Sequence, residues 1–279
     1  QNAVDAVYEL HTWCNTHGQK VETQPLPNQD CDVLVEFRQL ANDGWLLHVS
    51  DKGIGMTSST INDYFLRAGA SFRSSAEWSK EFVDENNNPL IARSGRFGIG
   101  AFSLFLLGQT FKVWTRHITS KQSYYFEASA SSELITIEFS TPRSVGTQIE
   151  VELSSEAVTF FGLNKASGID YNSLVYKCDW FCWNFPNVRL QVKQGSNLVL
   201  LKRRFQATLH CESTPTPDWS MLHPANFDTV YWSINKYPSN VCNGIQISTP
   251  RLSEEGKGFD WPNEVQLRRP AISVVDKLG

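Results

Sequence analysis

The sequence predicts an α+β fold in which helices gather on one face of a mostly antiparallel sheet, followed by a second αβ domain. Three observations carry this reading. The chain opens on a segment of helical period, its strands come in pairs around turn signals, and the pattern changes beyond Leu153. That order excludes a Rossmann unit and a P-loop domain, in which strands and helices alternate singly.

QNAVDAVYELHTWC, residues 1–14, sets Ala3, Val7, Leu10 and Cys14 at helical spacing, so the chain starts inside a helix. Residues 32–51, DVLVEFRQLANDGWLLHVSD, alternate Val33, Val35 and Phe37, turn at Asn42-Asp43-Gly44 and continue through Leu47 and Val49, which is a hairpin. Residues 57–93 are polar and loop-rich, with short helical pieces, the stretch DENNNP at 84–89 and no strand pattern. A segment this long without regular structure reads as a functional cover or as disordered. AFSLFLLG, residues 101–108, reads as a buried helix. Residues 111–129 and 134–153 then each read as two strands around a turn.

Residues 154–170, SSEAVTFFGLNKASGID, read as a linker to a helix over Tyr171–Phe185. Strands follow at NVRLQVKQ, LVLLKRRFQAT, TVYWSINK, GIQIST and AISVVD. The expected domains are residues 1–155 and 156–279. With no initiator Met and a helix already under way at Gln1, both ends read as cuts within a longer protein, and there is no signal-like start.

Composition narrows the classes. A 279-residue chain with 41% hydrophobic content, 17 Phe and 9 Trp can bury two cores. No apolar run approaches the roughly 20 residues that span a bilayer. The 25 basic and 29 acidic residues give a net charge of -4, and the basic ones are scattered apart from 202–204 and 268–269, which disfavours nucleic acid as the main partner. Six cysteines without a CxxC pair read as reduced thiols of a cytoplasmic protein. Cys178 and Cys182, with His210 and Cys211 further on, have a metal-like look, but Trp180, Phe181, Trp183 and Phe185 around them favour a packed helix over zinc.

Two glycine-bearing stretches carry the chemistry. SGRFGIGAFS, residues 94–103, puts glycines at 95, 98 and 100 just before an apolar run. Glycines there serve a tight turn, or they bare backbone N–H groups at a helix start, where a phosphate would bind. The spacing G-x-x-G-x-G is not the dinucleotide fingerprint, and no Gly-Lys-Ser/Thr follows. VSDKGIGMT, residues 49–57, ends a strand on Asp51 and spaces Gly53 and Gly55 by one residue. Taken alone it is also consistent with a loop that opens on a solvated carboxylate.

QNAVDA, DKGIGMT, SGRFGIGAFS and GTQIEV, in this order, closely resemble the nucleotide-binding motifs of the GHKL (Bergerat-fold) ATPase superfamily, which joins type II topoisomerases, ninety-kilodalton heat-shock chaperones, histidine kinases and mismatch-repair ATPases. The phenylalanine and trailing serine of GRFGIGAFS look most like the chaperone branch. The resemblance covers residues 1–153 and extends more weakly to a second domain like the chaperone middle or transducer domain. It implies ATP or ADP with Mg2+ as ligands. Asp51 would accept a hydrogen bond from the adenine amine, a contact guanine could not satisfy. Gly53, Gly55 and Met56 would line the base, and Thr147 would approach the adenine side. Asn2 would hold magnesium, with Asp5 and Ala6 lining the pocket one turn on. Gly95, Arg96, Phe97, Gly98, Ile99 and Gly100 would cradle the phosphates, and Ser71 and Arg73 would reach them from the cover.

The expected function is that of an ATP-binding and ATP-hydrolysing chaperone-like module, in which nucleotide closes a lid, rearranges two domains and drives dimerisation or clamping of a client protein. In this superfamily the water-activating glutamate stands four residues before the magnesium asparagine, which here precedes Gln1, so no catalytic residue is named. A DNA-acting clamp and a non-catalytic nucleotide sensor are the alternative classes. DNA binding is disfavoured by the charge balance, and a missing upstream glutamate would favour the sensor.

Overall fold

The computed structural model describes residues 1–19, 31–91, 98, 100–132, 134–164, 168–171, 174, 177–178 and 186–201, and the strand segments 220–222, 230–232, 240–242, 245–247 and 275–276. Contacts divide the chain into two compact units, Gln1–Cys178 with Asn184–Arg203, and Asp179–Trp183 with Arg204–Gly279.

The first unit opens with helix α1 (Asn2–His17), which buries Val4, Asp5, Val7, Glu9, Leu10 and Trp13 and ends on left-handed Gly18. The expected hairpin follows as β1 (Val33–Gln39) and β2 (Trp45–Asp51), with left-handed Asp43 at its turn. The segment after it forms a one-turn helix α2 (Ser58–Thr60) capped by Thr57, a wide turn over Ile61–Phe65, a 3₁₀ turn at Phe72–Ser74 and helix α3 (Ala76–Phe82) capped by Ser75. Strands β3 (Thr110–Arg116), β4 (Ser123–Ser129), β5 (Ile137–Ser140) and β6 (Gly146–Glu152) fall within the two strand pairs read from the sequence.

Three expectations change. AFSLFLLG forms a short 3₁₀ helix, Phe102–Leu106, that exposes Phe102 and Leu106. With three residues per turn, a continuous apolar run cannot turn every side chain inward. Residues 154–170 do not form only a linker: Ser154 caps helix α4 (Ser155–Phe161), which ends at left-handed Gly162 and sends Ala157 and Phe161 into the core. The third change concerns β7 (Val188–Gln194) and β8 (Asn197–Leu201), strands the sequence reading assigns to a second domain from residue 156. They extend the first sheet instead, β7 lying parallel to β1 and β8 antiparallel to β7. The alternation of Val188, Leu190 and Val192 matches that of Val33, Val35 and Phe37 opposite, so one apolar face continues across both strands. Of the helix expected over residues 171–185, Tyr171, Leu174 and Lys177 are helical, and most of the remainder lies outside the described residues.

The sheet therefore has eight strands in the order β5-β4-β3-β6-β2-β1-β7-β8, antiparallel except for β1 and β7. Its apolar face carries two clusters. Phe37, Leu47 and Val192 pack with Ala157 and Phe161 of α4, while Phe111, Val113, Phe126 and Val151 pack with Ile61. The opposite face carries a row of polar residues across six strands, Gln191, Glu36, His48, Glu150, Lys112 and Glu127. Gln191 Nε2 donates to Glu36 Oε2 at 2.5 Å, and His48 Nδ1 lies 3.1 Å from Glu150 Oε1.

In the second unit, β9 (Ser220–Leu222), β10 (Val230–Trp232) and β13 (Val275–Asp276) form one antiparallel sheet in the order β13-β10-β9. Strands β11 (Asn240–Cys242) and β12 (Ile245–Ile247) form an antiparallel pair.

Candidate functional site

Asp51 stands at the end of β2. Its Oδ1 accepts hydrogen bonds from Gly53 N at 2.9 Å and Thr147 N at 3.2 Å. Two backbone donors on one oxygen fix the carboxylate, and among the described residues no hydrogen bond engages Oδ2. Burial outweighs those donors and raises the Asp51 pKa to about 7. Around it, Thr115 is a hub: its hydroxyl donates to Gly146 O at 3.2 Å, meets Thr147 Oγ1 at 3.0 Å and accepts from Met56 N at 2.9 Å. The loop from Asp51 to Met56 is thus tied to both β3 and β6. At Gly55 φ is +74°, and a Cβ would stand 1.9 Å from Arg116 O, so only glycine fits where the loop runs against the end of β3.

Helix α1 supplies the other wall. Asn2 and Ala6 are four residues apart and share a face. Ala6 O accepts from Ile54 N at 2.9 Å, which locks α1 to the Asp51 loop. A Cβ on Gly100 would stand 3.1 Å from Asn2 Nδ2, so the start of α1 and the end of the second glycine stretch abut. Gly98 has φ of +62°, and its missing side chain leaves room for Ala70 O, from which a Cβ would be 2.2 Å away. Gly69 N donates to Gly98 O at 3.1 Å. The structure therefore brings Asn2, Ala6, Asp51, Gly53, Met56, Gly100 and Thr147 into one continuous set of contacts, with Gly98 held by the loop 67–70. Asp5 is buried on α1. Ser71 and Arg73 are half-buried beside that loop. Gly95, Arg96, Phe97 and Ile99 lie outside the described residues.

No protein-family model matches the chain. A stretch of 168 residues, 60% of this chain, is 29% identical to chaperone protein HtpG of Porphyromonas gingivalis and covers 22% of that protein. Heat shock protein 90-6, mitochondrial, of Arabidopsis thaliana is 30% identical over 167 residues, 57% of this chain and 19% of its own length. TNF receptor-associated protein 1 homolog, mitochondrial, of Dictyostelium discoideum is 24% identical over 159 residues, 57% of this chain and 21% of its own. More than half of this chain is thus similar to proteins named as a chaperone and as a heat shock protein. The matched stretch spans about a fifth of the curated relatives' length, and the likeness supports the chaperone branch named from the motifs.

Within this chaperone-like unit the sequence reading missed Thr115 and the partner that Glu9 holds. Thr115 follows Phe111 and Val113 on the buried face of β3, and a hydroxyl in that apolar series is the signal that could have found it. Glu9 sits in the buried stripe of α1 and accepts from Trp78 Nε1 at 2.8 Å. At the end of β3, burial lowers the His117 pKa to about 4, so its ring is neutral at pH 7 and can accept at Nδ1 from Thr119 N at 3.2 Å. Among the described residues no group of three or more His, Cys, Asp or Glu could hold a metal ion. Of the cysteines weighed for zinc, Cys178 is half-buried, and Cys182 and Cys211 lie outside the described residues. No helix among the described residues is long and apolar enough to cross a membrane.

Proposed function

We propose that this chain is the nucleotide-binding part of a chaperone-like ATPase, taking ATP or ADP with magnesium and using the nucleotide to close a cover and rearrange its two units. The observation that carries this is Asp51. Its Oδ1 is held by Gly53 N and Thr147 N, which leaves Oδ2 as the acceptor for an exocyclic amine. A carboxylate placed there selects adenine over guanine, because guanine would oppose it with a carbonyl. Met56, held by Thr115, supplies an apolar wall for the base.

The start of α1 and the glycine stretch together fit a phosphate-bound cation. Asn2 offers a neutral oxygen, and the contact with Gly100 brings that side chain against the backbone of the glycine stretch, which suits an ion whose other ligands are phosphate oxygens and water. Magnesium bound there would neutralise phosphate charge. The backbone N–H groups of the glycine stretch would orient the phosphates, and the loop 67–70, backed onto Gly98, would be the cover that responds to the terminal phosphate. Ordering of that cover is the step that links nucleotide to client clamping or dimerisation in the whole protein.

Calorimetry with ATP, ADP and GTP, with and without magnesium, tests the reading. Adenine nucleotides should bind and GTP should not, and Asp51→Asn should lose roughly 2–5 kcal/mol of affinity while staying folded. Hydrogen exchange at residues 67–70 should slow more with a non-hydrolysable ATP analogue than with ADP. Equal affinity for ATP and GTP, or for wild type and Asp51→Asn, would remove the reading.

A further inference from the structure

Asp51, Thr147 and Thr115 stand directly opposite one another on β2, β6 and β3, so the three side chains share one face of the sheet. Thr115 is 1% exposed. Its hydroxyl lies within hydrogen-bond distance of three groups: Met56 N at 2.9 Å, Thr147 Oγ1 at 3.0 Å and Gly146 O at 3.2 Å. Met56 N can only donate and Gly146 O can only accept, so the Thr147 hydroxyl is the one partner able to do either.

A hydroxyl carries one proton and two lone pairs. The three contacts are satisfied together in a single way: Thr115 gives its proton to Gly146 O and accepts from both Met56 N and the Thr147 hydroxyl. That commits the Thr147 proton to Thr115 and leaves Thr147 Oγ1 as an acceptor alone. Among the described residues no other hydrogen bond engages that oxygen, and the Thr147 N–H is held by Asp51 Oδ1. We propose that Thr115 is a positioning residue that sets the specificity of this pocket: by fixing the direction of the Thr147 hydroxyl it adds a second acceptor next to the Asp51 carboxylate, so that the edge formed by β2 and β6 takes an amino-substituted ring and refuses its carbonyl counterpart. The inference rests on the nucleotide-pocket reading above and adds a residue that the motifs do not contain.

An exocyclic amine has two protons, one for each acceptor, given directly or through a bridging water. A carbonyl in its place would meet lone pairs from both Asp51 and Thr147, a larger penalty than Asp51 imposes alone. Thr115→Val keeps the shape of the side chain and removes the hydroxyl, which releases the Thr147 proton to turn toward a ligand carbonyl. The same variant takes away the partner of Met56 N and so loosens the wall for the base. Thr115→Ser restores the hydroxyl. Because the loss through Met56 falls on every base alike, the ratio between an amino and an oxo nucleotide reports the direction of the Thr147 hydroxyl, and the absolute affinities do not.

Inosine triphosphate (ITP) presents a carbonyl where ATP presents the amine. The ring N–H that ITP also gains is the same in every variant, so the comparison is made between variants. Binding of both nucleotides is measured well above the Asp51 pKa of about 7, where the carboxylate has no proton to give. The preference for ATP over ITP should fall about ten-fold in Thr115→Val, one hydrogen bond's worth, and return in Thr115→Ser. Thr147→Val should also lower it, and adding Thr115→Val should then change the ratio no further, since Thr115 acts through Thr147. Neutron diffraction of the ligand-free, deuterated protein reads the same device directly: the Thr115 deuteron should point to Gly146 O and the Thr147 deuteron to Thr115 Oγ1. A Thr147 deuteron turned away from Thr115, or an ATP-to-ITP preference unmoved in folded Thr115→Val, would overturn the inference. If wild type bound no adenine nucleotide, the pocket reading would fall while the neutron map still judged the direction of the Thr147 hydroxyl.

Discussion

Burial makes Asp51 a stability cost that depends on pH. Its pKa is raised from 3.8 to about 7, so between those values the folded state holds a proton that the unfolded state has released. Stability of the nucleotide-free protein therefore falls as pH rises through that window. Asparagine keeps an Oδ1 for both Gly53 N and Thr147 N and has no charge to desolvate. Asp51→Asn should thus be about 1–3 kcal/mol more stable than wild type at pH 8, with the gap closing at acid pH, as urea unfolding at several pH values would report. Glu150 behaves oppositely. The His48 hydrogen bond holds its pKa below the usual value of 4.5, so its contribution is present above that value and lost as pH falls through the lowered one. His48→Ala should remove roughly 1 kcal/mol of it and flatten the acid limb of the stability profile. At this scale the motifs named Asp51 and Thr147, which the structure joins by a hydrogen bond. Thr115 and Glu9 were illegible because their roles arise from partners on other elements, 31 and 69 residues away.

Elements were legible when one face alternated with another. The four hairpin strands β1 to β4 carried their pairing around turns in the sequence pattern. Helix α3 did not. AEWSKEF has only two large apolar side chains, Trp78 and Phe82, four apart, too few to show a period within the polar stretch around them, yet both are fully buried. Phe82→Ala should cost about 3–5 kcal/mol and lower the melting temperature accordingly. The opposite error occurred at AFSLFLLG, where apolar content suggested burial but Leu106 is 81% exposed. Leu106→Ser should change unfolding free energy by less than about 0.5 kcal/mol. A large loss there would mean that the run is packed as the composition implied.

At the scale of the molecule, the reach of the sheet decides what can fold alone. Sequence pattern changed after Leu153, and a boundary at residue 155 followed from it, because period and turn signals do not reveal which distant strand a new strand will pair with. The structure carries the sheet on to Leu201. Strand β7 makes six register pairs with β1, and Asp32 staples the entry of both strands, its N–H donating to Asn187 O at 2.7 Å and its Oδ2 accepting from Asn187 N at 2.7 Å. Asp32 O also accepts from Lys52 N, next to Asp51, at 2.8 Å, so the staple also holds the start of the loop that follows β2. A fragment of residues 1–155 would leave β1 as a bare edge and strip α4, Leu174, Val192 and Leu201 from the cluster around Phe37 and Leu47. It should be aggregated or unfolded by circular dichroism and sedimentation, while residues 1–203 should unfold cooperatively and keep whatever nucleotide affinity the intact chain has. Cooperative unfolding of the 1–155 fragment would show that β7 and β8 are an appended edge rather than part of the folding unit.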